Sequence, residues 1–259
     1  MLSSLDGRLA PAPAPARVAW LRGRIYAHRG LHGRGLVENS PSAFAAAIDA
    51  GLGIECDVQI SADLCAMVFH DAELDRLTGE NGAVADRYAW QLADLALRGS
   101  ADHIPALRDL LAEVRGRVPL LIEIKARAGQ SVAVACRAVH DALAGYTGEH
   151  AIMSFDPRVP GWFSRHAPAT VRGLVVTEAG VRRRAGVLRR HLALWRARPD
   201  FLAYDVRDLP SAYAAAQRGR GLPVLTWTVS TPALLERARD WADAPIVEAE
   251  GLAAALEGF

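Results

Sequence analysis

The side chains best suited to chemistry begin in a short run, 54–58, that reads Ile-Glu-Cys-Asp-Val. Successive side chains of a β-strand point to opposite faces, so Glu55 and Asp57 share one face. Two neighbouring carboxylates on the inner face of a sheet are costly unless a cation or protons compensate them, and a hard divalent metal ion is the simplest compensation. The alternative is a solvent-facing strand with two surface carboxylates.

A second charged pair interrupts the apolar run 120–125, where Glu123 and Lys125 project from one face. If that face also carries the first two acids, three carboxylates converge at the C-terminal ends of adjacent strands, where α/β barrels form their active sites. Lys125 is the only lysine of the chain, and its compact ammonium suits a phosphate group. A buried structural salt bridge between Glu123 and Lys125 is the alternative.

Two histidines are candidates for proton transfer. His28 ends the first predicted strand and precedes Arg29 and Gly30. A histidine exchanges protons near neutral pH, a guanidinium binds phosphoryl oxygens through two hydrogen bonds, and glycine allows a close backbone turn. A single histidine is more often structural, so the prediction of a phosphate site depends on its combination with His70.

His70 is linked to the acidic run by a predicted hairpin. The apolar run 66–70 follows 53–60 too closely for a crossover helix, so we expect it to return antiparallel through a turn at 61–64. The midpoint of Asp57 and His70 is 63.5, the centre of that turn. A symmetric hairpin therefore predicts that these two residues are cross-strand neighbours.

Three further residues are candidates near the site. Ser40 and Pro41 form a helix-start signal, which puts Glu38 and Asn39 in the loop above the first strand. Glu38 and Asn39 are candidates for contact with a ligand or with the residues that bind it, or else for a purely structural role in the loop. Trp227 is a candidate for an apolar wall, and ordinary barrel packing is its alternative.

Strand and helix patterns alternate along the chain. Strands are predicted near 24–28, 53–58, 120–125, 151–155, 172–176, 201–205, 223–229 and 245–248. Helices are predicted near 41–50, 105–115, 130–144, 157–166, 182–197, 211–218, 231–240 and 251–257. Eight strand–helix units in 259 residues favour a closed α/β barrel over an open sheet.

Composition narrows the class of protein. The chain is 51% hydrophobic, so it can bury a core. Its net charge of +1 gives no overall positive potential that would attract a nucleic acid. Three cysteines are too few for a disulfide framework, which together with the absence of a signal-peptide pattern favours the cytoplasm. Pro11, Pro13 and Pro15 indicate that 1–22 is a flexible, extended arm ahead of one domain at 23–259.

Taken in order, a series of short motifs resembles that of the glycerophosphodiester phosphodiesterases. The motifs are His28-Arg29-Gly30, Glu38-Asn39-Ser40, Glu55-Cys56-Asp57-Val58, His70-Asp71, Leu74-Asp75-Arg76, Ile104-Pro105-Ala106-Leu107, Glu123-Ile124-Lys125, Ser154-Phe155 and Trp227-Thr228-Val229. Two places depart from the family pattern. The hairpin turn has Asp63-Leu64 where the family usually has Asp-Gly, and the last strand ends Pro245-Ile246-Val247-Glu248 where an Ile-Ile-Thr-Asp type of ending is usual.

The resemblance implies a fold, an activity and a set of roles. The fold is a variant (β/α)₈ TIM barrel with a small insertion, about 71–104, after an antiparallel hairpin that follows strand 2, and the insertion is expected to cover the barrel mouth. The activity is hydrolysis of glycerophosphodiesters to glycerol 3-phosphate and an alcohol, with a divalent metal ion, Mg²⁺ or Ca²⁺. By this resemblance, His28 and His70 match the general acid/base pair, Glu55, Asp57 and Glu123 the metal ligands, and Arg29 and Lys125 the phosphate contacts. We add Asn39 and Trp227 as candidate substrate contacts.

Two alternatives remain at this stage. One is a lysophospholipase D-like or cyclising phospholipase activity on lysolipids, and the other is a non-catalytic barrel that binds phosphodiesters. The insertion at 71–104 is rich in charged residues, so we expect a small water-soluble substrate and no stable membrane insertion. The sequence makes no prediction of the oligomeric state.

Overall fold

The computed structural model of the protein describes residues 2–33, 35–127, 129–180 and 184–257. The first part of the chain forms α1 (Leu2–Leu9), α2 (Pro15–Val18), β1 (Tyr26–Ala27), α3 (Pro41–Asp49), β2 (Gly53–Ile60), β3 (Ala66–Val68), α4 (Ala89–Ala93), α5 (Leu107–Val114), β4 (Leu120–Ile124) and α6 (Val132–Ala142). The second part forms β5 (His150–Ser154), α7 (Arg158–His166), β6 (Val171–Val176), α8 (Arg184–Ala197), β7 (Phe201–Asp205), α9 (Ala212–Gly219), β8 (Val224–Val229), α10 (Pro232–Trp241), β9 (Ala244–Val247) and α11 (Ala249–Glu257).

The strands form one sheet in the order β1-β9-β8-β7-β6-β5-β4-β2-β3, and β1 also pairs with β2. Eight parallel strands with helices between them therefore close into a TIM barrel, and β3 is an extra strand outside the ring. This confirms the predicted fold class. All eight barrel strands lie where the sequence patterns predict them. The helix predicted near 182–197 is present from Arg184, and residues 182 and 183 lie outside the described residues.

The chain divides into two compact units. The central unit spans 27–150, and the terminal unit combines 1–26 with 151–259. In the terminal unit the buried faces of β6, β7 and β8 pack under α8 and α9, with Tyr204, Leu194 and Leu222 fully buried. In the central unit the predicted insertion has a small core of its own, which includes Leu74 and Leu92 packed against Met67. Its position over the barrel mouth stays a prediction.

The helix that follows the first strand begins as the sequence predicts. The Ser40 side chain accepts a hydrogen bond from the backbone N–H of Ala43, and Pro41 occupies the first turn, where a missing N–H costs nothing. This cap fixes the point at which the loop carrying Glu38 and Asn39 ends.

The hairpin register differs from the prediction by one residue. Val58 pairs with Val68 and Ile60 with Ala66, so Asp57 lies opposite Phe69 and not opposite His70. The cause is the turn, in which Ser61 N–H donates to the Cys65 carbonyl around a three-residue loop. An odd-numbered loop centres the hairpin on a residue rather than between two residues, which shifts every cross-strand pair.

The extended N-terminal arm is also corrected by the structure. Leu2–Leu9 and Pro15–Val18 are helical, and the three prolines do not interrupt the first helix because Pro11 follows its end. The carboxylate of Asp6 is fully buried in the terminal unit, so this helix is tied to the barrel.

Candidate functional site

The three predicted acids meet in the central unit because β2 and β4 are parallel neighbours. Their register pairs Asp57 with Glu123, so the alternating acids of both strands lie on one face of the sheet. Glu55, Asp57 and Glu123 are all buried, and each offers a ligand oxygen within 4.8 Å of the others. The alternative that Glu55 and Asp57 lie on a solvent-facing strand is therefore wrong.

Two cations lie against these three carboxylates. The Nζ of Lys125 is 2.7 Å from Asp57 Oδ1 and 2.7 Å from Glu123 Oε1. The Nε of Arg29 is 3.1 Å from Asp57 Oδ2, and its backbone N–H donates to Glu55 Oε2 at 3.1 Å. The salt bridge between Glu123 and Lys125, raised as an alternative from the sequence, is thus present, but it is shared with Asp57.

The charges of the cluster do not balance. Burial raises the pKa of Glu55 well above its usual value, and the nearby charges of Asp57 and Glu123 raise it further. Burial likewise raises the pKa of Glu123 despite its contact with Lys125. Burial alone would also raise the pKa of Asp57, but Lys125 and Arg29 outweigh it and hold that pKa below the usual range.

A divalent cation fits this donor set. Three buried carboxylates face two side-chain cations, and hard oxygen ligands are those that Mg²⁺ and Ca²⁺ prefer. A metal ion would supply the missing positive charge and keep Glu55 and Glu123 ionised at neutral pH.

His70 is held at two points in the central unit. Its Nδ1 is 2.6 Å from Asp71 Oδ1, and its backbone carbonyl accepts a hydrogen bond of 2.8 Å from Gln59 Nε2. Burial lowers the pKa of the His70 imidazole, although Asp57 opposes this. With Nδ1–H donated to Asp71, Nε2 is the nitrogen left for proton exchange.

His28 lies beside Glu55. Its Nε2 is 3.9 Å from Glu55 Oε2, and its ring meets that of His32 edge to face at 6.4 Å between centroids. His28 and His70 therefore both belong to the central unit with the acids.

The turn after His28 contains two consecutive residues with positive φ. Arg29 and Gly30 have positive φ of 54° and 80°, a region that only glycine adopts without steric cost. A Cβ at Gly30 would lie 3.0 Å from backbone atoms of Ala43, so no larger residue fits there without a shift. The approach of the Gly30 backbone to Ala43 is the kind of close turn that the glycine was expected to allow.

Asn39 contacts an acid of the cluster. It is buried, its Nδ2 donates to Asp57 Oδ2 at 2.9 Å, and its Oδ1 accepts the Asp57 backbone N–H at 3.2 Å. Its positive φ of 55° allows its own backbone N–H to reach the Arg29 carbonyl. Direct substrate contact by Asn39 stays a prediction, while the structure shows it orienting Asp57.

Trp227 belongs to the terminal unit. Its indole Nε1 donates to the Ala203 carbonyl at 2.9 Å, and its ring packs edge to face on Phe155 at 5.3 Å between centroids. These contacts fix the indole, and its predicted role as a substrate wall stays a prediction.

Sequence reasoning assigned no role to Asp71, Gln59 and Arg76, and it left Glu38 open between loop structure and a contact with the site. Asp71 and Gln59 hold His70, Glu38 contacts Arg29 Nη1 at 2.7 Å, and Arg76 contacts both Glu38 and Asp71. Gln59 continues the alternating face of Glu55 and Asp57, a signal that was readable in the sequence. The meeting of residues 38, 71 and 76 was not readable, because it depends on how two loops fold.

Fold and cluster together define a (β/α)₈-barrel protein with a candidate divalent-metal site. The model of the glycerophosphoryl diester phosphodiesterase family matches residues 28–248. The chain therefore belongs to this family, as the motif series predicts.

Sequence relatives carry the same family name. A glycerophosphodiester phosphodiesterase of Bacillus altitudinis is 36% identical over 113 residues, which cover 39% of this chain and 44% of the relative. A probable glycerophosphodiester phosphodiesterase 2 of Mycobacterium tuberculosis is 42% identical over 91 residues, or 34% of each chain. The matched segments thus span less than half of the length of these relatives.

Solved structures share the fold. A phosphodiesterase of Oleispira antarctica, in complex with the product sn-glycerol-3-phosphate, superposes with a TM-score of 0.79 at 20% identity, covering 92% of this chain and 98% of its own. A putative glycerophosphoryl diester phosphodiesterase of Silicibacter pomeroyi gives 0.78 at 24% identity, covering 93% and 96%.

Within the described residues, no helix is both long and apolar enough to cross a bilayer.

Proposed function

We propose that this chain hydrolyses glycerophosphodiesters to glycerol 3-phosphate and an alcohol in a metal-dependent reaction. One observation carries the proposal above the others: Glu55, Asp57 and Glu123 place ligand oxygens within 4.8 Å of one another in a buried cluster beside His70 and His28. Family membership supports the substrate class, and the Oleispira antarctica relative was solved with the expected product.

The three acids are the proposed ligands of Mg²⁺ or Ca²⁺. When bound, such an ion supplies charge stabilisation to a phosphoryl group. Asn39 keeps Asp57 in its orientation through two hydrogen bonds, so one acid is fixed before any ion binds. A fixed acid lowers the entropy cost of assembling the site.

Arg29 and Lys125 are the proposed phosphate contacts. A guanidinium presents a planar pair of donors to two phosphoryl oxygens, and an ammonium acts as a compact point charge. Both are partly buried, with side-chain exposures of 17% and 18%, so their charges act at reduced dielectric on oxygens that become more negative during the reaction.

The two imidazoles are the proposed acid and base. One removes a proton from the nucleophile, either water or the glycerol 2-hydroxyl of the substrate, and the other donates a proton to the leaving alkoxide. Attack by the hydroxyl would close a cyclic phosphate that water then opens. The dyad of His70 with Asp71 leaves His70 Nε2 free to carry a proton in either direction.

An activity screen tests the proposal. Glycerophosphocholine, glycerophosphoethanolamine, glycerophosphoglycerol and lysophosphatidylcholine are incubated with the chain in Mg²⁺, in Ca²⁺ and with excess EDTA. We expect release of glycerol 3-phosphate from the first three and its loss with EDTA, because the chelator removes the ion that the three carboxylates are proposed to hold.

Matched variants locate the activity. Glu123→Gln removes a proposed ligand, whereas Glu113→Gln alters an acid paired with Arg117 on a helix surface. We expect the first to abolish the stimulation by metal and the second to retain it. Binding of the diesters without release of glycerol 3-phosphate would indicate a non-catalytic barrel, and release of choline from lysophosphatidylcholine alone would indicate the phospholipase activity.

We also propose a cytoplasmic location. The three cysteines, Cys56, Cys65 and Cys136, are free, and the Cys65 side chain is exposed, as expected for a reducing compartment. Fractionation of the native host tests this, and recovery outside the cytoplasm would contradict it.

A further inference from the structure

Arg76, in the Leu-Asp-Arg motif of the insertion, joins two carboxylates that belong to different loops. Its Nη1 and Nη2 lie 2.9 and 2.7 Å from the two oxygens of Glu38. Its Nε and Nη2 lie 2.5 and 3.1 Å from the two oxygens of Asp71. One guanidinium therefore makes a two-point contact with each acid, the geometry in which arginine binds carboxylates best.

Each of these carboxylates also holds a residue of the candidate site. Asp71 contacts Nδ1 of His70 at 2.6 Å, and Glu38 contacts Nη1 of Arg29 at 2.7 Å. Arg76 is therefore linked through Asp71 to the imidazole of His70, and through Glu38 to the guanidinium of Arg29. Within the described residues, the side-chain hydrogen bonds of Arg76 go to Glu38 and Asp71 and not to the three acids of the cluster.

We propose that Arg76 is a positioning residue that fixes His70 and Arg29 together. The inference rests on the proposed function, since it concerns the geometry of that site. Without Arg76 the two acids lose their shared cation, and Asp71 keeps only His70 while Glu38 keeps only Arg29. Each pair is then free to rotate separately, and the imidazole and the guanidinium lose their common orientation.

The chemistry of the side chain explains why arginine occupies this position. Four donor contacts to two acids need a planar fork with donors on both edges. A lysine ammonium is a single point and cannot make two-point contacts with both acids at once. The alternative is a surface clamp that only attaches the insertion to the loop, since the Arg76 side chain is 47% exposed.

Kinetic constants of two Arg76 variants separate these roles. We expect Arg76→Met to lower kcat by about 10²-fold, with a smaller change in KM, because misplacing reacting groups by about 1 Å costs that much. Arg76→Lys should recover part of the loss. Arg87→Met is the matched control. Arg87 lies in the same insertion, where its Nη2 is 3.6 Å from Glu80 Oε2 and 3.5 Å from the Asn81 carbonyl, and we expect the activity of this variant to stay within about twofold.

A double-mutant background tests the route. In Glu38→Ala/Asp71→Ala both acceptors are removed and the proposed path is already cut, so adding Arg76→Met should change kcat by less than about twofold. A loss in that background equal to the loss in the wild type would overturn the proposal, and so would an Arg76→Met variant whose only defect is a lower Tm.

Crystal structures of the wild type and of Arg76→Met provide a readout that does not need turnover. Displacement of the His70 imidazole and of the Arg29 guanidinium by about 1 Å or more supports the proposal, and unmoved side chains overturn it. If the wild type releases no product from any diester, the proposed function fails, while these structures still decide whether Arg76 positions the two residues.

Discussion

At the scale of single residues, the two candidate histidines both lie beside the acidic cluster. His70 is fixed at the imidazole by Asp71 and at the backbone by Gln59. His28 precedes the turn at Arg29 and Gly30, and its Nε2 lies 3.9 Å from Glu55 Oε2. Both imidazoles therefore lie where a proton could be exchanged beside the three acids.

Substituting these histidines tests their roles. We expect His28→Asn and His70→Asn each to reduce kcat by about 10²–10⁴-fold, because each removes a group that transfers a proton, while KM changes much less. Steady-state kinetics on the best diester of the screen measures this. The control is His103→Asn, an exposed histidine of the insertion that should keep full turnover. Near-full turnover in either site variant would show that its imidazole carries no proton in the reaction.

At the scale of elements, the turn between β2 and β3 decides which residues face each other. Its three-residue loop is closed by Ser61 and Cys65, and Leu64 occupies it with φ of +64°. A side chain with a Cβ is strained there, which explains why such turns favour Asp-Gly and makes Leu64 an unfavourable residue at this position. The Leu64 side chain is 57% exposed, so little packing offsets this strain.

Replacing this leucine should stabilise the protein. We expect Leu64→Gly to raise the free energy of unfolding by about 0.5–1 kcal/mol, since glycine adopts positive φ without a steric penalty. Urea denaturation followed by circular dichroism measures the change. Leu64→Ala is the matched control, because it shortens the side chain but keeps the Cβ, and it should give no gain. Equal gains in both variants would attribute the effect to the exposed side chain instead of the backbone.

At the scale of the whole molecule, the N-terminal helix is anchored by one buried acid. Asp6 accepts hydrogen bonds from His191 Nδ1 at 2.8 Å, Trp195 Nε1 at 2.7 Å and Gln217 Nε2 at 2.7 Å. Burial alone would raise the pKa of Asp6, but these hydrogen bonds hold it below the usual value. A depressed pKa means that the carboxylate stabilises the fold at neutral pH, and that this contribution is lost as the pH falls through the folded-state value.

Removing this acid should destabilise the protein. We expect Asp6→Ala to lower the free energy of unfolding by about 2–4 kcal/mol, because three buried donors lose their acceptor at once. Urea titrations at pH 7 measure this, and the difference from wild type should shrink at strongly acidic pH. Arg8→Ala, on the exposed side of the same helix, should change stability by less than about 0.5 kcal/mol. Equal stability of Asp6→Ala and wild type would show that the helix is not anchored through this acid.

The eight barrel strands and the convergence of the acids were readable from the sequence. Period-two alternation fixes which side chains share a face, so Glu55 and Asp57 had to project together, and Glu123 joined them once β2 and β4 became parallel neighbours. The cap at Ser40 was equally local, because it depends on hydrogen bonds between residues three apart.

Contacts between distant segments were decided only by the tertiary structure. Asp6 meets His191 across 185 positions, and Arg76 reaches Glu38 across 38, through loops whose paths no periodicity records. The hairpin register also depended on whether the loop has an odd or an even number of residues. The midpoint between Asp57 and His70 does not determine that number. Short-range patterns arise from backbone geometry that repeats along the chain, whereas these contacts arise from packing, which is settled only when the whole barrel closes.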